Sequence, residues 1–313
     1  MNNEIIQFLL EENIISKSLS EELENPDNLL EEIKKYSLYK TDKINTKSIK
    51  EYLKTQTTNQ TTTPTTIGKT IYCFPKITST NTIAKFLAEH NSEDGTVIIA
   101  ETQTKARGRS TKHWESPKGG IWLSIILKPN INPSKFPLIT LFTGVAVTKT
   151  IKKLGLDAKI KWPNDVLINN KKISGILTES NIISSNENPR NYIVVGVGID
   201  TNLKINDFKD KELKNRITTL NEELGKNINE NEFIAKFLTE FEEIYNLYKK
   251  EEFKTTLDDW RSLSDTIGKN VKIKQLNEEK YGYAVGINDE GNLIIKKSNG
   301  ELEKITYGEC RTI

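Results

Sequence analysis

The sequence predicts an α+β fold in three parts, and three observations carry that prediction. Apolar residues recur at helical spacing over the first 54 positions. Strand-like and helix-like stretches mix through residues 69–264. Short alternating runs broken by turn residues fill residues 265–313. A chain of 313 residues is long enough for more than one domain. The expected division is a helical domain at 1–54, a linker at 55–68, a central mixed domain at 69–264 and a small β domain at 265–313.

In the first part, Ile5, Ile6, Leu9 and Leu10 share one helical stripe, as do Leu29, Leu30 and Ile33. Pro26 breaks the run between them. Residues 55–66 hold eight threonines and no large apolar side chain. Such a stretch buries no core and is expected to be a flexible linker.

In the central part, Ser79-Thr80-Asn81 precedes Ile83, Ala84, Leu87 and Ala88, the pattern of a capped helix start. Val97–Ala100 and Ile121–Leu127 read as strands, and residues 136–154 as an apolar helix ending near Gly155. Residues 160–168 and 173–177 are expected to form a hairpin around the polar turn Asn169-Asn170-Lys171-Lys172. Tyr192–Ile199 is a Val/Ile/Gly strand. Residues 230–250 form an amphipathic helix with Phe233, Phe237, Phe241 and Tyr245 on one stripe. The last part carries strands at 271–274, 283–287, 292–295 and 302–305, separated by Asn/Gly turns. That is the pattern of a small, SH3-like β-barrel.

Composition excludes several functions. A formal net charge of +2 calls for no polyanionic partner. Cys73 and Cys310 make neither a disulfide framework nor a zinc pattern, and His90 and His113 are the only histidines. No protein-held metal site is expected. There is no apolar run of membrane-spanning length and no basic-then-apolar leader, so a cytoplasmic protein without a membrane partner is expected.

Four short segments could carry chemistry. Residues 101–114 follow a strand and include Ala106-Arg107-Gly108-Arg109, Lys112, His113 and Trp114. Arginine beside glycine suits a backbone that approaches phosphate while planar donors clamp its oxygens. Trp114 offers a flat apolar face for a ring. A solvated loop with a buried tryptophan explains the same residues. Lys161-Trp162-Pro163-Asn164-Asp165 puts a proline in an apolar run, which implies an edge or bulge; its Asn and Asp could serve a ligand or only cap the bulge. Lys172 opens an apolar strand, where it could neutralise developing charge or simply be a turn lysine. Gly196 and Gly198 alternate at the end of a buried strand, leaving room for a ligand or another backbone. No third glycine follows at dinucleotide-fold spacing.

Taken in order, these segments resemble the biotin–protein ligase family over about residues 70–313. The resemblance rests on Ser79-Thr80-Asn81, Gln103, the Arg107-Gly108-Arg109 loop with Trp114 and Ser116-Pro117, Lys161-Trp162-Pro163-Asn164-Asp165, Lys172 with Gly175-Ile176-Leu177, Glu179, and Gly196-Val197-Gly198-Ile199.

That resemblance implies a mixed sheet like the class II synthetase core, with 69–264 as the biotin/ATP catalytic domain. It also implies a two-step reaction. Biotin attacks the ATP α-phosphate to give biotinyl-5′-AMP and pyrophosphate, and a lysine of a biotin carboxyl carrier domain then displaces AMP. Ser79, Thr80, Asn81, Gln103, Gly196 and Gly198 would line the biotin pocket, whose ureido ring needs both donors and acceptors. Arg107 and Arg109 would close over the adenylate and, with Lys172, contact both biotin and ATP. Trp114 would stack on adenine, Asn164 would hydrogen-bond it, and Asp200 would lie in the ATP site. Asp165 would orient or deprotonate the incoming lysine. Mg²⁺ would arrive with ATP, held by phosphates and water. A homodimer is one assembly the family offers.

Three positions depart from the family pattern. Ala106 replaces a glycine and would be strained if φ is positive there. Lys112 replaces an arginine. Asp200 replaces an asparagine and would repel a triphosphate if charged.

Two other functions compete. A lipoate–protein ligase shares the fold and chemistry, yet the Lys-Trp-Pro-Asn-Asp element points to biotin. A biotin-responsive repressor would bind DNA through residues 1–54, which have the length of a winged helix-turn-helix. The first 60 residues hold 8 basic and 11 acidic side chains and no arginine, so they can neutralise few phosphates. DNA is not an expected partner, and a helical appendage that packs on the enzyme or recruits a partner is preferred.

Overall fold

The computed structural model describes residues 1–57, 65–182 and 191–313. Four helices come first: α1 (Asn2–Glu11), α2 (Lys17–Glu22), α3 (Pro26–Tyr36) and α4 (Thr46–Thr57). Pro26 opens α3 rather than merely breaking a run. It sits in the first turn, where no N–H partner is needed, and the Asn25 side chain accepts from Asp27 N–H. The Thr-rich stretch divides three ways. Residues 55–57 continue α4, residues 58–64 lie outside the described residues, and Ile67 is buried.

The central sheet has seven strands in the order β1-β2-β3-β7-β6-β5-β4. These are β1 (Ile71–Phe74), β2 (Val97–Ala100), β3 (Ile121–Leu127), β4 (Lys159–Lys161), β5 (Asp165–Ile168), β6 (Lys171–Asn181) and β7 (Tyr192–Ile199). β1 and β2 run parallel and every other pairing is antiparallel. Residues 160–168 are therefore not one strand, as expected, but two. The cis Trp162-Pro163 peptide lies in the turn, and Lys161 pairs directly with Asp165.

Helix α5 (Thr80–Glu89) covers one face of the sheet. Helices α6 (Leu138–Lys152), α9 (Glu230–Lys249) and α10 (Phe253–Leu263) cover the other. Short helices α7 (Lys211–Lys214) and α8 (Leu220–Leu224) lie between β7 and α9, capped by Asp210 and Thr219. α6 is apolar almost all round because it is enclosed by the sheet, α9 and α10. Each aliphatic side chain so enclosed contributes about 1.5–3 kcal/mol.

The stripes of α1 and α3 do not meet only each other. Ile5, Leu9, Leu29 and Ile33 join one core with Phe86 and Leu87 of α5 and with Ile98 and Ile126 of the sheet. Tyr36 donates to Lys76 O at 2.6 Å, and α4 packs along α9. The N-terminal helices are thus built onto the central domain.

The C-terminal part is a five-stranded antiparallel sheet in the order β11-β10-β9-β8-β12. Its strands are β8 (Asn270–Lys274), β9 (Glu279–Ile287), β10 (Leu293–Lys296), β11 (Leu302–Ile305) and β12 (Glu309–Thr312). Trp162 ties it to the central sheet by donating through Nε1 to Gly291 O at 3.2 Å.

Candidate functional site

A cavity of about 530 Å³ opens between the central sheet, the 103–115 loop and the edge of the C-terminal sheet. Ser79, Thr80, Asn81, Gln103, Arg107, Arg109, Trp114, Asn164, Asp165, Lys172, Gly196, Gly198 and Asp200 all line it. The structure brings together every site residue singled out in the sequence.

One end of the cavity is polar and uncharged. Gln103 Oε1 accepts from Thr80 N–H at 2.8 Å and from its hydroxyl at 3.1 Å, while Gln103 Nε2 donates to Ser116 Oγ at 2.9 Å. Ser124 Oγ lies 2.6 Å from Asn81 Oδ1 and 2.7 Å from Thr80 Oγ1. Asn81 Nδ2 donates to Glu179 Oε2 at 2.8 Å, and Glu179 pairs with Lys85 at 2.7 Å. Burial alone would raise the Glu179 carboxyl, but bonds from Lys85 and Asn81 and the charge of Arg107 hold it below the usual range. Ser79 occupies the N-cap of α5 without capping it through its side chain, contrary to the expected cap.

The floor is β7. Residues two apart on a strand face the same side, so Gly196, Gly198 and Asp200 form a row. A Cβ on Gly196 would stand 2.2 Å from Asn81 Oδ1, and one on Gly198 2.8 Å from the Trp114 indole. The two glycines are what let those side chains lie flat on the sheet.

The other end carries the charges. Lys172 Nζ is 2.5 Å from Asp165 Oδ1 and 4.9 Å from the Trp114 ring centroid, and Lys161 Nζ is 3.7 Å from Asp165. A two-residue turn with Asn169 and Asn170 at φ 50° and 63° starts β6. A bulge then opposes Val166 and Leu167. Strict alternation would put Lys172 and Gly175 on opposite faces; the bulge lets both line the cavity.

The loop over the cavity is a small closed hairpin. Gly108 N–H donates to Lys112 O at 2.7 Å and Trp114 N–H to Ala106 O at 3.1 Å. Arg109 bonds Asn164 Oδ1 at 2.7 Å and Gly308 O at 2.8 Å, and Lys112 pairs with Glu309 at 2.6 Å. Lys112 and Arg311 hold the Glu309 carboxyl down at about 2 against the pull of burial. Arg107 is exposed at the cavity wall.

Two concerns raised by the sequence have structural answers. Ala106 is buried and is not among the residues with positive φ; the left-handed position is Ser110, at φ 54°. Asp200 is buried, with Oδ1 lacking a partner, and burial raises its carboxyl well above the usual range despite nearby Lys172. Burial thus favours its protonated form over the charged one.

Sequence reasoning missed Ser124, the Gly308–Glu309 corner and the wall formed by Phe208, Leu213 and Ile217. Ser124 had a signal, being the one polar residue in the strand Ile121–Leu127. The other two come from distant segments with no distinctive local pattern.

Residues 73–200 match the biotin/lipoate A/B protein ligase family, and residues 266–311 match the biotin protein ligase C terminal domain. The bifunctional ligase/repressor BirA of Bacillus subtilis (strain 168) is 38% identical over 241 residues, 76% of this chain and 73% of that protein. The chain belongs to the biotin protein ligase family. Another member, the BirA of Bacillus spizizenii (strain ATCC 23059 / NRRL B-14472 / W23), is 40% identical over 231 residues, 73% of this chain and 70% of its own length. Among solved biotin protein ligases, that of Aquifex aeolicus in complex with biotin and ATP superposes with a TM-score of 0.66 at 29% identity. The match covers 78% of this chain and all of that one.

Proposed function

We propose that this chain is an ATP-dependent biotin–protein ligase. It activates the biotin carboxylate as biotinyl-5′-AMP, releasing pyrophosphate, and passes the biotinyl group to a lysine of a biotin carboxyl carrier domain, releasing AMP. The single observation that carries this reading is the layout of one cavity, with an uncharged donor–acceptor end and a cationic end joined by a glycine floor.

The ureido ring of biotin fits the end built from Ser79, Thr80, Asn81 and Gln103, over Gly196 and Gly198. Its carboxylate points toward Lys172, Arg107 and Arg109. Charge developing on the carboxyl and α-phosphate oxygens is stabilised there by cations already in position. Adenine lies on Trp114, within reach of Asn164 and Asp200. Asp165 holds Lys172 until substrate arrives, then orients the incoming lysine. Its place beside Lys161 and Lys172 suits it to orient that lysine or to take its proton.

Among the described residues no group of three or more His, Cys, Asp or Glu could hold a metal ion. In this reading Mg²⁺ arrives with the triphosphate, held by phosphate and water oxygens. The division at 54, 68 and 264 is retained as a functional one, with a synthetase-like central domain and an SH3-like C-terminal barrel. A homodimer and a cytoplasmic setting complete the reading; no helix among the described residues is long and apolar enough to cross a membrane.

Operator binding is not part of the proposal, although both Bacillus relatives are named as ligase/repressors. Net charge −3 over residues 1–60 and the use of the α1 and α3 stripes against α5 speak against it. Pyrophosphate release with biotin or lipoate as the acid tests the reading; release with lipoate alone would overturn it.

A further inference from the structure

Glu101 and Lys118 stand at the two roots of the loop that covers the cavity, and both are held from outside the central domain. Glu101 is 5% exposed, and its Oε1 accepts from the backbone N–H of Lys43 at 2.6 Å and of Ile44 at 3.3 Å. Lys118 lies 3.6 Å from the other Glu101 oxygen and also pairs with Asp42. The same segment is fastened to the start of α9: Asn45 N–H donates to Asn231 Oδ1 at 2.9 Å, and Asn231 Nδ2 to Lys43 O at 2.8 Å. Residues 42–46 thus form a strap between α3 and α4. They lie outside both stretches matched to the family.

The roots lead straight to the polar end of the cavity. Gln103, two residues after Glu101, holds Thr80; Ser116, two residues before Lys118, holds Gln103. A shift at either root moves the groups assigned to biotin.

We propose that the strap at residues 42–46 braces the cavity loop, with Glu101 as the positioning residue that transmits the brace to Gln103 and Thr80. The role rests on the ligase reading of the cavity. It makes the N-terminal helices part of the enzyme's biotin site rather than a separate module. Most of the restraint comes from the buried carboxylate and its two N–H donors, because charge-assisted bonds away from water are the strong ones. The Lys118–Asp42 pair is largely exposed and contributes little.

The test compares Glu101→Ala and Glu101→Gln in the full chain. It measures KM for biotin and kcat in pyrophosphate release, together with amide hydrogen exchange over residues 102–117. Glu101→Ala should raise the biotin KM roughly tenfold, as expected for losing bonds to a buried charged group, with a smaller effect on kcat. Exchange in the loop should quicken. Glu101→Gln, which still accepts from Lys43 and Ile44 but carries no charge, should recover part of the loss. A wild-type KM and unchanged loop exchange in Glu101→Ala, with activity falling only as the folded fraction falls, would overturn the brace. If Glu101→Ala does not fold, Asn231→Ala releases the strap from α9 without touching the loop: a raised biotin KM supports the brace, and an unchanged one overturns it. Failure of the ligase reading would show separately, as absent pyrophosphate release in the wild type.

Discussion

Lys172 Nζ and Asp165 Oδ1 face each other at 2.5 Å across β5 and β6, on the cationic side of the cavity. The pair exists because the β6 bulge turns Lys172 onto the same face as Gly175, which lies directly opposite Asp165. Lys172 is thereby parked on a carboxylate near the Trp114 ring; in the proposed function, an incoming acid and α-phosphate take it over.

Replacing Lys172 with alanine should therefore lower adenylate formation by about 10²- to 10³-fold, the scale of losing one preorganised stabiliser of transition-state charge. Biotin affinity should fall far less, because the ureido end is untouched. Pyrophosphate release and calorimetric titration with biotin separate the two effects. Unchanged turnover would remove Lys172 from the chemistry.

The floor glycines should separate the two substrates. Gly196→Ala drives a Cβ into Asn81 and should raise the KM for biotin with little change for ATP. Gly198→Ala displaces Trp114 and should raise the KM for ATP as well as that for biotin. Each overpacks a tight contact and should cost about 1–3 kcal/mol in chemical denaturation. A Gly196→Ala variant that raises the KM for ATP as much as that for biotin would contradict the assignment of the two ends.

Asp200 has a signed pH consequence. Its folded-state pKa lies well above its unfolded value of 3.8. Between those values the native chain binds a proton that the unfolded chain has lost, so stability falls as pH rises. Asp200→Asn keeps the shape and removes the titration. Its Tm should match the wild type near pH 3 and exceed it increasingly as pH climbs above about 4, the usual aspartate range. A constant difference across that range would show Asp200 to be charged.

Ala106→Gly should not improve the enzyme. Ala106 is not in the left-handed region, so glycine relieves nothing and adds unfolded-state freedom, costing about 0.4–1 kcal/mol. Ser110, at φ 54°, is the loop position that glycine suits. Thermal melts of the two variants should shift in opposite directions, or Ser110→Gly should at least be the better tolerated. A large gain in ATP affinity from Ala106→Gly would refute this view of the loop.

Much of this was legible in the residues themselves. Strands β3 and β7 and helix α9 followed from apolar period and length. The site segments stood out because polar and glycine residues interrupt apolar strands. What escaped notice depends on long-range partners. The split of 160–168 turns on a tight turn at Trp162-Pro163, inside an apolar run that reads as one strand. α10 carried a readable signal in Phe253, Leu257 and Trp260, whereas β12 has only Cys310 buried and gave almost none. Amphipathic stripes on α1 and α3 announced that something would cover them, but not that α5 would. Glu101 opens the polar loop after β2, and nothing in its neighbours announces that the backbone of residues 43 and 44 bonds to it.

The central claim is best tested by intact-mass measurement of a purified biotin carboxyl carrier domain after incubation with this protein, ATP and biotin. The account predicts one biotinyl group added to the carrier lysine, dependent on ATP and abolished or greatly slowed by Lys172→Ala. A carrier left unmodified by biotin, or modified only when lipoate and its own carrier domain are supplied instead, would contradict it.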